Sequence, residues 1–173
     1  MPKLKHITIS LTNSKLGASI PSINLPPILT CRENCPCSHL CYATKGNFQY
    51  PNVKKSHLDN LAYYKEKPNG YFQEIIDFLS DGLVSYKYFR FHSSGDIVDY
   101  KYASLMCATA RECPQVKFLA FTKKYEIVNR LVDEIGITNI PINLHFVYSM
   151  WDKNYKVENP YDFPTTWVDF KDK

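Results

Sequence analysis

Four cysteines lie within eleven residues, and their type and spacing suit them to hold an inorganic centre. They are Cys31, Cys35, Cys37 and Cys41, in the segment CRENCPCSHLC. In a chain without a secretion signal, such a cluster indicates metal binding more often than disulfide bonds. We therefore expect all four side chains to be metal ligands.

The Cys-Pro-Cys step favours an iron–sulfur cluster over zinc. A residue before proline is pushed to an extended conformation, which would place the Cα atoms of Cys35 and Cys37 roughly 6.5–7 Å apart. The sulfurs on one tetrahedral zinc ion are only about 3.8 Å apart, whereas a cluster distributes its thiolates over several irons. The same extended geometry would strain a disulfide between the two residues. A 4Fe-4S cluster is the leading interpretation, and zinc or free or disulfide-bonded thiols remain as alternatives.

The other two cysteines, Cys107 and Cys113, lie six residues apart on a predicted helix. This spacing does not place them on one helix face. We expect buried thiols without a metal-binding role.

The pattern of apolar residues predicts alternating strands and helices. Residues 13–17 are expected to form a turn, and the proline-containing segment 18–30 to be irregular. Asn52 is the expected N-cap of the first helix and Pro68 its end. The predicted strands are 4–12, 86–92, 116–122, 142–149 and 166–170, and the predicted helices are 52–67, 70–80, 99–112 and 124–135. This order predicts an α/β fold, a short parallel sheet or partial (βα) barrel of four to six strands with crossover helices.

Polar residues follow three of the predicted strands, where parallel α/β folds bind ligands. The strand 86–92 is followed by Ser-Ser-Gly-Asp, the strand 116–122 by two lysines, and the strand 142–149 ends at Ser149. An arginine pointing inward from a strand would need an anionic partner, such as a cluster or a ligand carboxylate. The predicted ligand-binding residues are Arg90, His92, Ser94, Gly95, Asp96 and Lys123. The alternatives are a turn with a helix N-cap for Ser-Ser-Gly-Asp and a solvated surface position for the two cations.

Composition predicts a single domain over residues 1–173. The chain is 45% apolar and 22% charged, which excludes collagen-like, coiled-coil and disordered proteins. No apolar run is long enough to cross a membrane and no signal peptide is visible, so we expect a cytoplasmic protein with no membrane contact. A net charge of +4 is too small to predict nucleic-acid binding by itself.

Several segments resemble the phage gene product 88 family over roughly residues 14–165. These segments are LPPILTCRENCPCSHLCYATKGNFQYPNVK, FRFHSSGDIVD, FLAFTKKYEIVN and YSMWD. The resemblance implies a phage or prophage protein that works in the bacterial cytoplasm, and it supplies no activity. It also implies that cysteines recur at positions 31, 37 and 41, while Cys35 is often replaced.

A weaker similarity is to the radical S-adenosylmethionine enzymes. The stretch from Cys37 to Cys41 looks like the start of their Cx3Cx2C motif, but Thr44 stands where the third cysteine belongs and Cys31 could replace it. The stretch Ser94-Gly95-Asp96 resembles the motif that holds the methionine amino group in those enzymes. The similarity implies a radical-SAM-like partial barrel that binds S-adenosylmethionine or another small polar ligand at the cluster. The alternative is a non-enzymatic phage protein with a structural zinc or cluster that binds a host factor or nucleic acid.

Overall fold

The structure is a computed structural model that describes residues 5–11 and 20–167. Within these residues, six strands form one sheet in the order in which they occur along the chain. The strands are β1 (Ile9–Ser10), β2 (Ser22–Ile23), β3 (Tyr88–Phe91), β4 (Lys117–Thr122), β5 (Leu144–Met150) and β6 (Thr165–Trp167). The α-helices are α1 (Pro51–Glu66), α2 (Pro68–Ser80), α3 (Tyr100–Glu112) and α4 (Tyr125–Ile135).

The sheet is mostly parallel. β1 pairs with β2 in the antiparallel direction, and β2 to β6 are parallel neighbours. Helices α1 and α2 connect β2 to β3, α3 connects β3 to β4, and α4 connects β4 to β5. Right-handed crossovers between consecutive neighbours place their helices on one face of the sheet. The predicted α/β class and the parallel sheet with crossover helices are confirmed.

The two faces of the sheet differ in how far they are buried. On the helix-covered face, Phe91, Ala120 and Phe146 occupy one row and are at most 1% exposed. Arg90 and Phe121 point to the opposite face, where they are half-buried. Alternate residues of parallel strands face opposite sides, so the apolar core lies between the sheet and the helices.

Several predicted boundaries are wrong. Among the described residues 5–11, the strand predicted for 4–12 is reduced to Ile9–Ser10. The predicted turn at 13–17 and the strand end at 168–170 lie outside the described residues. The segment 18–30 is not wholly irregular, because it contains β2. Tyr50 rather than Asn52 occupies the N-cap position of α1, and it makes no side-chain capping hydrogen bond. α1 ends at Glu66, before Pro68 as expected, and Pro68 is also the first residue of α2. Proline is favourable at a first helical position, where its missing N–H leaves no bond unmade.

Candidate functional site

A cavity of about 200 Å³ lies at the carboxyl ends of β3, β4 and β5. The four clustered cysteines form one side of it, and loop residues after these three strands form the other. The residues that line it include Cys31, Cys35, Cys37, Cys41, Tyr42, Arg90, His92, Ser93, Ser94, Gly95, Asp96, Phe121, Thr122, Lys123 and Ser149. The structure therefore brings every residue of the predicted site to a single cavity.

The loop after β3 is held in place by residues that follow β2. The buried Asn24 side-chain oxygen accepts hydrogen bonds from the backbone N–H groups of Ser93 at 2.8 Å and Ser94 at 3.2 Å. The Leu25 N–H donates to the Ser94 carbonyl at 3.0 Å, and the Ser94 hydroxyl donates to the Leu25 carbonyl, also at 3.0 Å. The Ser94 hydroxyl thus holds the loop after β3 against the backbone that follows β2. Sequence reasoning missed Asn24 because a two-residue strand leaves no periodic pattern.

Gly95 is at a position that requires glycine. Its φ is +84°, and a Cβ atom there would lie 2.7 Å from both the Leu25 Cβ and the Thr30 Oγ1 atoms. Thr30, the residue before the cysteine segment, also accepts a hydrogen bond from the Asp96 N–H at 3.1 Å. The close approach at Gly95 therefore brings the entry of the cysteine segment against the loop after β3.

Asp96 links the ends of β3 and β4. Its carboxylate accepts hydrogen bonds from the Ile97 N–H at 2.7 Å, the Thr122 hydroxyl at 2.6 Å and the Lys123 N–H at 2.9 Å. Burial raises the pKa of Asp96, and these three donors oppose that rise. Asp96 lines the cavity, but its carboxylate is used by three protein donors, of which one fixes the backbone of Lys123.

Two of the four cysteines in the segment, Cys31 and Cys37, are held as protonated thiols. Burial, with a contribution from Asp96, raises the pKa of Cys31 to about 11. Burial and the neighbouring Cys35 raise the pKa of Cys37 to about 12, although Lys123 acts in the opposite direction. Metal ligands are thiolates, so binding of a metal here would release protons.

The expected geometry of the Cys-Pro-Cys step is wrong. Cys35 itself is extended, with φ −62° and ψ 121°, but Pro36 begins a 3-10 helix that runs to Leu40. This turn brings the Cys35 and Cys37 sulfurs to 2.9 Å instead of separating them. All four thiols of the segment are free. Two ligands of one tetrahedral zinc ion would be about 3.8 Å apart, so this pair is closer than zinc ligands are.

Two half-buried cations face the cavity without a carboxylate partner among the described residues. The Arg90 side chain lies 4.8 Å from the Phe121 ring centroid, and its Nε donates to the His92 carbonyl at 3.3 Å. The Lys123 ammonium donates to the Ser149 hydroxyl at 2.7 Å. Burial lowers the pKa of Arg90 from its ordinary value. Unpaired buried cations favour an anionic occupant of the cavity.

His92 places a neutral imidazole ring at the cavity. Its φ is +64°, and its Nε2 lies 2.9 Å from the Tyr102 hydroxyl of α3. Burial, with the charges of Arg90 and Lys124, lowers its pKa to about 3. Its buried Nδ1 makes no hydrogen bond to any described residue.

Tyr42 and Phe121 are cavity residues that the sequence did not single out. Tyr42 donates its hydroxyl to the Ser93 carbonyl, which connects the end of the cysteine segment to the loop after β3. Both are aromatic residues in a chain with 13 tyrosines and 10 phenylalanines, so their type carried no signal.

The described residues, those of the cysteine segment included, contain no assembled site for a single metal ion. Cys107 and Cys113 are buried in the core, as expected, and do not line the cavity. Among residues 5–11 and 20–167, no three Cys, His, Asp or Glu side chains are placed to hold one metal ion. No helix in the same residues is long and apolar enough to span a membrane.

Together these observations define an α/β protein with a cysteine-lined cavity at the carboxyl edge of a mostly parallel sheet. The chain belongs to the gene product 88 family, whose sequence model matches residues 3–166. Neither a curated protein nor a solved structure matches the chain. The weaker similarity to radical S-adenosylmethionine enzymes receives no support from these comparisons.

Proposed function

We propose that this phage-family protein binds an iron–sulfur cluster at the cysteine segment and a small polar ligand in the adjoining cavity. One observation carries the proposal: four cysteines of one short segment share a cavity with the carboxyl ends of three neighbouring parallel strands. In α/β folds these strand ends are the usual site of ligands.

A cluster accepts more widely separated thiolates than a single zinc ion does, and four cysteines spread over eleven residues supply them. As the described residues are placed, no three ligand side chains hold one metal ion, so the thiols must rearrange to bind either centre. Cys35 and Cys37, at 2.9 Å, are too close for both to be ligands without a change of rotamer. We therefore assign Cys31, Cys37 and Cys41 as ligands, with Cys35 as a fourth ligand only after it turns away. A cluster with three protein ligands keeps an open iron for a ligand such as S-adenosylmethionine, whereas four ligands restrict it to electron transfer or a structural role.

The residues around the cysteines would orient and neutralise what is bound. Arg90 and Lys123 supply positive charge that offsets the thiolates or a ligand carboxylate. Asp96 and Gly95 fix the loop on which these groups depend. The consecutive order of β2 to β6 also agrees with a partial barrel, the scaffold implied by the radical-SAM resemblance.

The cluster is tested by anaerobic reconstitution with ferrous iron and sulfide. We expect a brown protein with visible absorption and bound iron and sulfide in the wild type. The variants Cys31→Ala, Cys37→Ala and Cys41→Ala should lose most of both. Cys107→Ala is the matched control, because that thiol lies in the core away from the cavity. A colourless, iron-free wild type, or equal iron in all variants, would contradict the proposal.

The ligand is tested by titrating the reconstituted protein with S-adenosylmethionine in a calorimeter. Loss of a charge-assisted hydrogen bond costs about 1.5–3 kcal/mol, so Arg90→Ala and Lys123→Ala should weaken binding about ten- to a hundred-fold. Lys117→Ala, at the other end of the strand that leads to Lys123, should bind like the wild type. Absence of binding to the wild type would exclude this ligand.

A second candidate is a host-binding protein in which a zinc ion or cluster is only structural. The observation that favours it is three exposed apolar residues beside the cysteines, Ile28 at 48%, Leu29 at 63% and Leu40 at 53% exposure. Leu29→Asp should then abolish binding of a host protein, and Lys123→Ala should leave it intact. If the cavity binds a small ligand instead, Lys123→Ala should weaken binding of that ligand and Leu29→Asp should not.

A further inference from the structure

Cys35 and Cys37 form a contact that cluster binding does not explain. Their sulfurs are 2.9 Å apart, closer than two ligands of one metal ion or of one cluster. The contact is produced by the backbone: Pro36 begins the 3-10 helix, and the Ser38 N–H donates to the Cys35 carbonyl at 2.9 Å. The turn therefore places the two thiols in contact.

We infer that Cys35 and Cys37 form a redox couple that closes reversibly into a disulfide when the segment holds no metal. A disulfide sulfur–sulfur bond is about 2.05 Å long, so the pair needs to approach by only about 0.9 Å. In the described part of the chain this sulfur–sulfur contact joins Cys35 to Cys37, whereas Cys31 and Cys41 are close enough to these thiols for an electrostatic effect. We therefore expect the bond to form between Cys35 and Cys37.

The two thiols are suited to different steps of an exchange with a small disulfide such as oxidised glutathione. Cys37 is half-buried and reachable, whereas Cys35 is 5% exposed. The small fraction of Cys37 that is ionised at alkaline pH attacks one glutathione sulfur, a mixed disulfide forms, and one glutathione leaves as a thiolate that takes up a proton. Cys35 then attacks the Cys37 sulfur and releases the second reduced glutathione. Two protein thiols are oxidised, two electrons pass to glutathione disulfide, and the protons pass to the two leaving thiolates.

The closed couple would prevent loading of the centre, and this consequence rests on the proposed function. Oxidation ties up Cys37, which is one of the three assigned ligands, and Cys35, which is the candidate fourth ligand. Only Cys31 and Cys41 are then left as thiols. Two thiolates are too few for the three that hold a cluster with an open iron. The protein would then accept a cluster only under reducing conditions.

The couple is tested on metal-free protein, so its result does not depend on a cluster. The protein is incubated with oxidised glutathione at mildly alkaline pH, alkylated and digested with trypsin, which separates Cys31 from the peptide of residues 33–45. We expect this peptide to lack two hydrogens and to carry one alkyl group, placed on Cys41 by fragmentation. Three alkyl groups on this peptide, or a bond to Cys31 or Cys41, would overturn the inference.

Single variants separate the two roles. Cys35→Ser should accumulate a mixed disulfide with glutathione on Cys37, whereas Cys37→Ser should leave Cys35 largely unmodified. Cys41→Ser should still form the bond, as a matched change in the same segment. Equal glutathionylation of Cys35→Ser and Cys37→Ser would overturn the assigned order of attack.

The link to loading has its own readout. Oxidised wild type should fail to take up iron and sulfide and should recover uptake after dithiothreitol and removal of the reductant. If the disulfide forms but the reduced protein never takes up iron, the proposed function fails and the couple stands. If oxidised and reduced proteins take up iron equally, the link between them is wrong.

Discussion

At the scale of single residues, the geometry of the site depends most directly on Gly95. We expect Gly95→Ala to lower the free energy of unfolding by about 2–5 kcal/mol, because the new Cβ adds left-handed strain to close contacts with Leu25 and Thr30. Gly82→Ala is the matched control, because Gly82 also has a positive φ, +71°, but nothing lies within 4 Å of its Cβ position. That control should lose only about 1–2 kcal/mol. Equal losses in urea unfolding would show that packing at Gly95 is unimportant.

His92 should make the fold sensitive to acid. Its pKa is about 3 in the folded protein against an ordinary value of 6.5, so the unfolded chain binds the proton first as pH falls. The stabilisation is complete above pH 6.5 and is lost as pH falls towards 3, by at most about 1.4 kcal/mol per pH unit. His92→Asn tolerates the positive φ and should flatten this dependence in urea unfolding measured across that range. His39→Asn, at an exposed position, should keep the wild-type slope.

The residues with chemical function were easier to predict than their contacts. The four cysteines and the strand-end residues could be named from type and spacing, and the structure places all of them at one cavity. The contact between Cys35 and Cys37 could not be predicted, because the rule for residues before proline fixes Cys35 and not the turn that follows. The three hydrogen bonds that Asp96 accepts could not be predicted either, because the donors lie at the ends of two different strands.

At the scale of elements, long periodic segments were predicted well and short ones were not. The helices α1 to α4 and the strands β3 to β5 lie within a few residues of their predicted ranges. Each buries one face, and this spaces its apolar residues periodically along the sequence. β2 has two residues and is extended because it pairs with β3, so no local sequence pattern predicts it. Yet β2 is the strand that leads to Asn24 and supports the loop after β3.

Removal of the Asn24 side chain should therefore loosen the site through an element rather than through chemistry. Asn24→Ala leaves the Ser93 and Ser94 N–H groups without their acceptor, and each buried unsatisfied group costs about 1–3 kcal/mol. We expect a loss of about 2–6 kcal/mol in the free energy of unfolding, measured with urea. Asn47→Ala, at an exposed position in a 3-10 turn, is the control and should lose less than about 0.5 kcal/mol. A loss at Asn24 as small as at Asn47 would show that the loop is held by its other contacts.

At the scale of the whole molecule, the core and the cysteine segment are separate. The main apolar core is formed by the sheet and its helices, and no residue of the segment 31–41 belongs to it. The segment is attached instead by polar contacts, from Thr30 to Asp96 and from Tyr42 to Ser93. A centre bound there would stabilise the edge of a fold that already has its own core.

Removal of iron should accordingly leave a folded protein. We expect chelation of the reconstituted wild type to preserve the far-ultraviolet circular dichroism and a single cooperative melt. Its Tm should fall by about 2–4 °C for each kcal/mol of stabilisation that the centre contributes. The double variant Cys31→Ala/Cys41→Ala, which keeps only two cysteines at the proposed site, should melt like the chelated wild type, and chelator should not change its Tm. Loss of cooperative unfolding on chelation would instead mean that the sheet and helices alone are insufficient and that the centre holds the fold together. This result would favour the structural role of the second candidate over a cavity that binds a ligand.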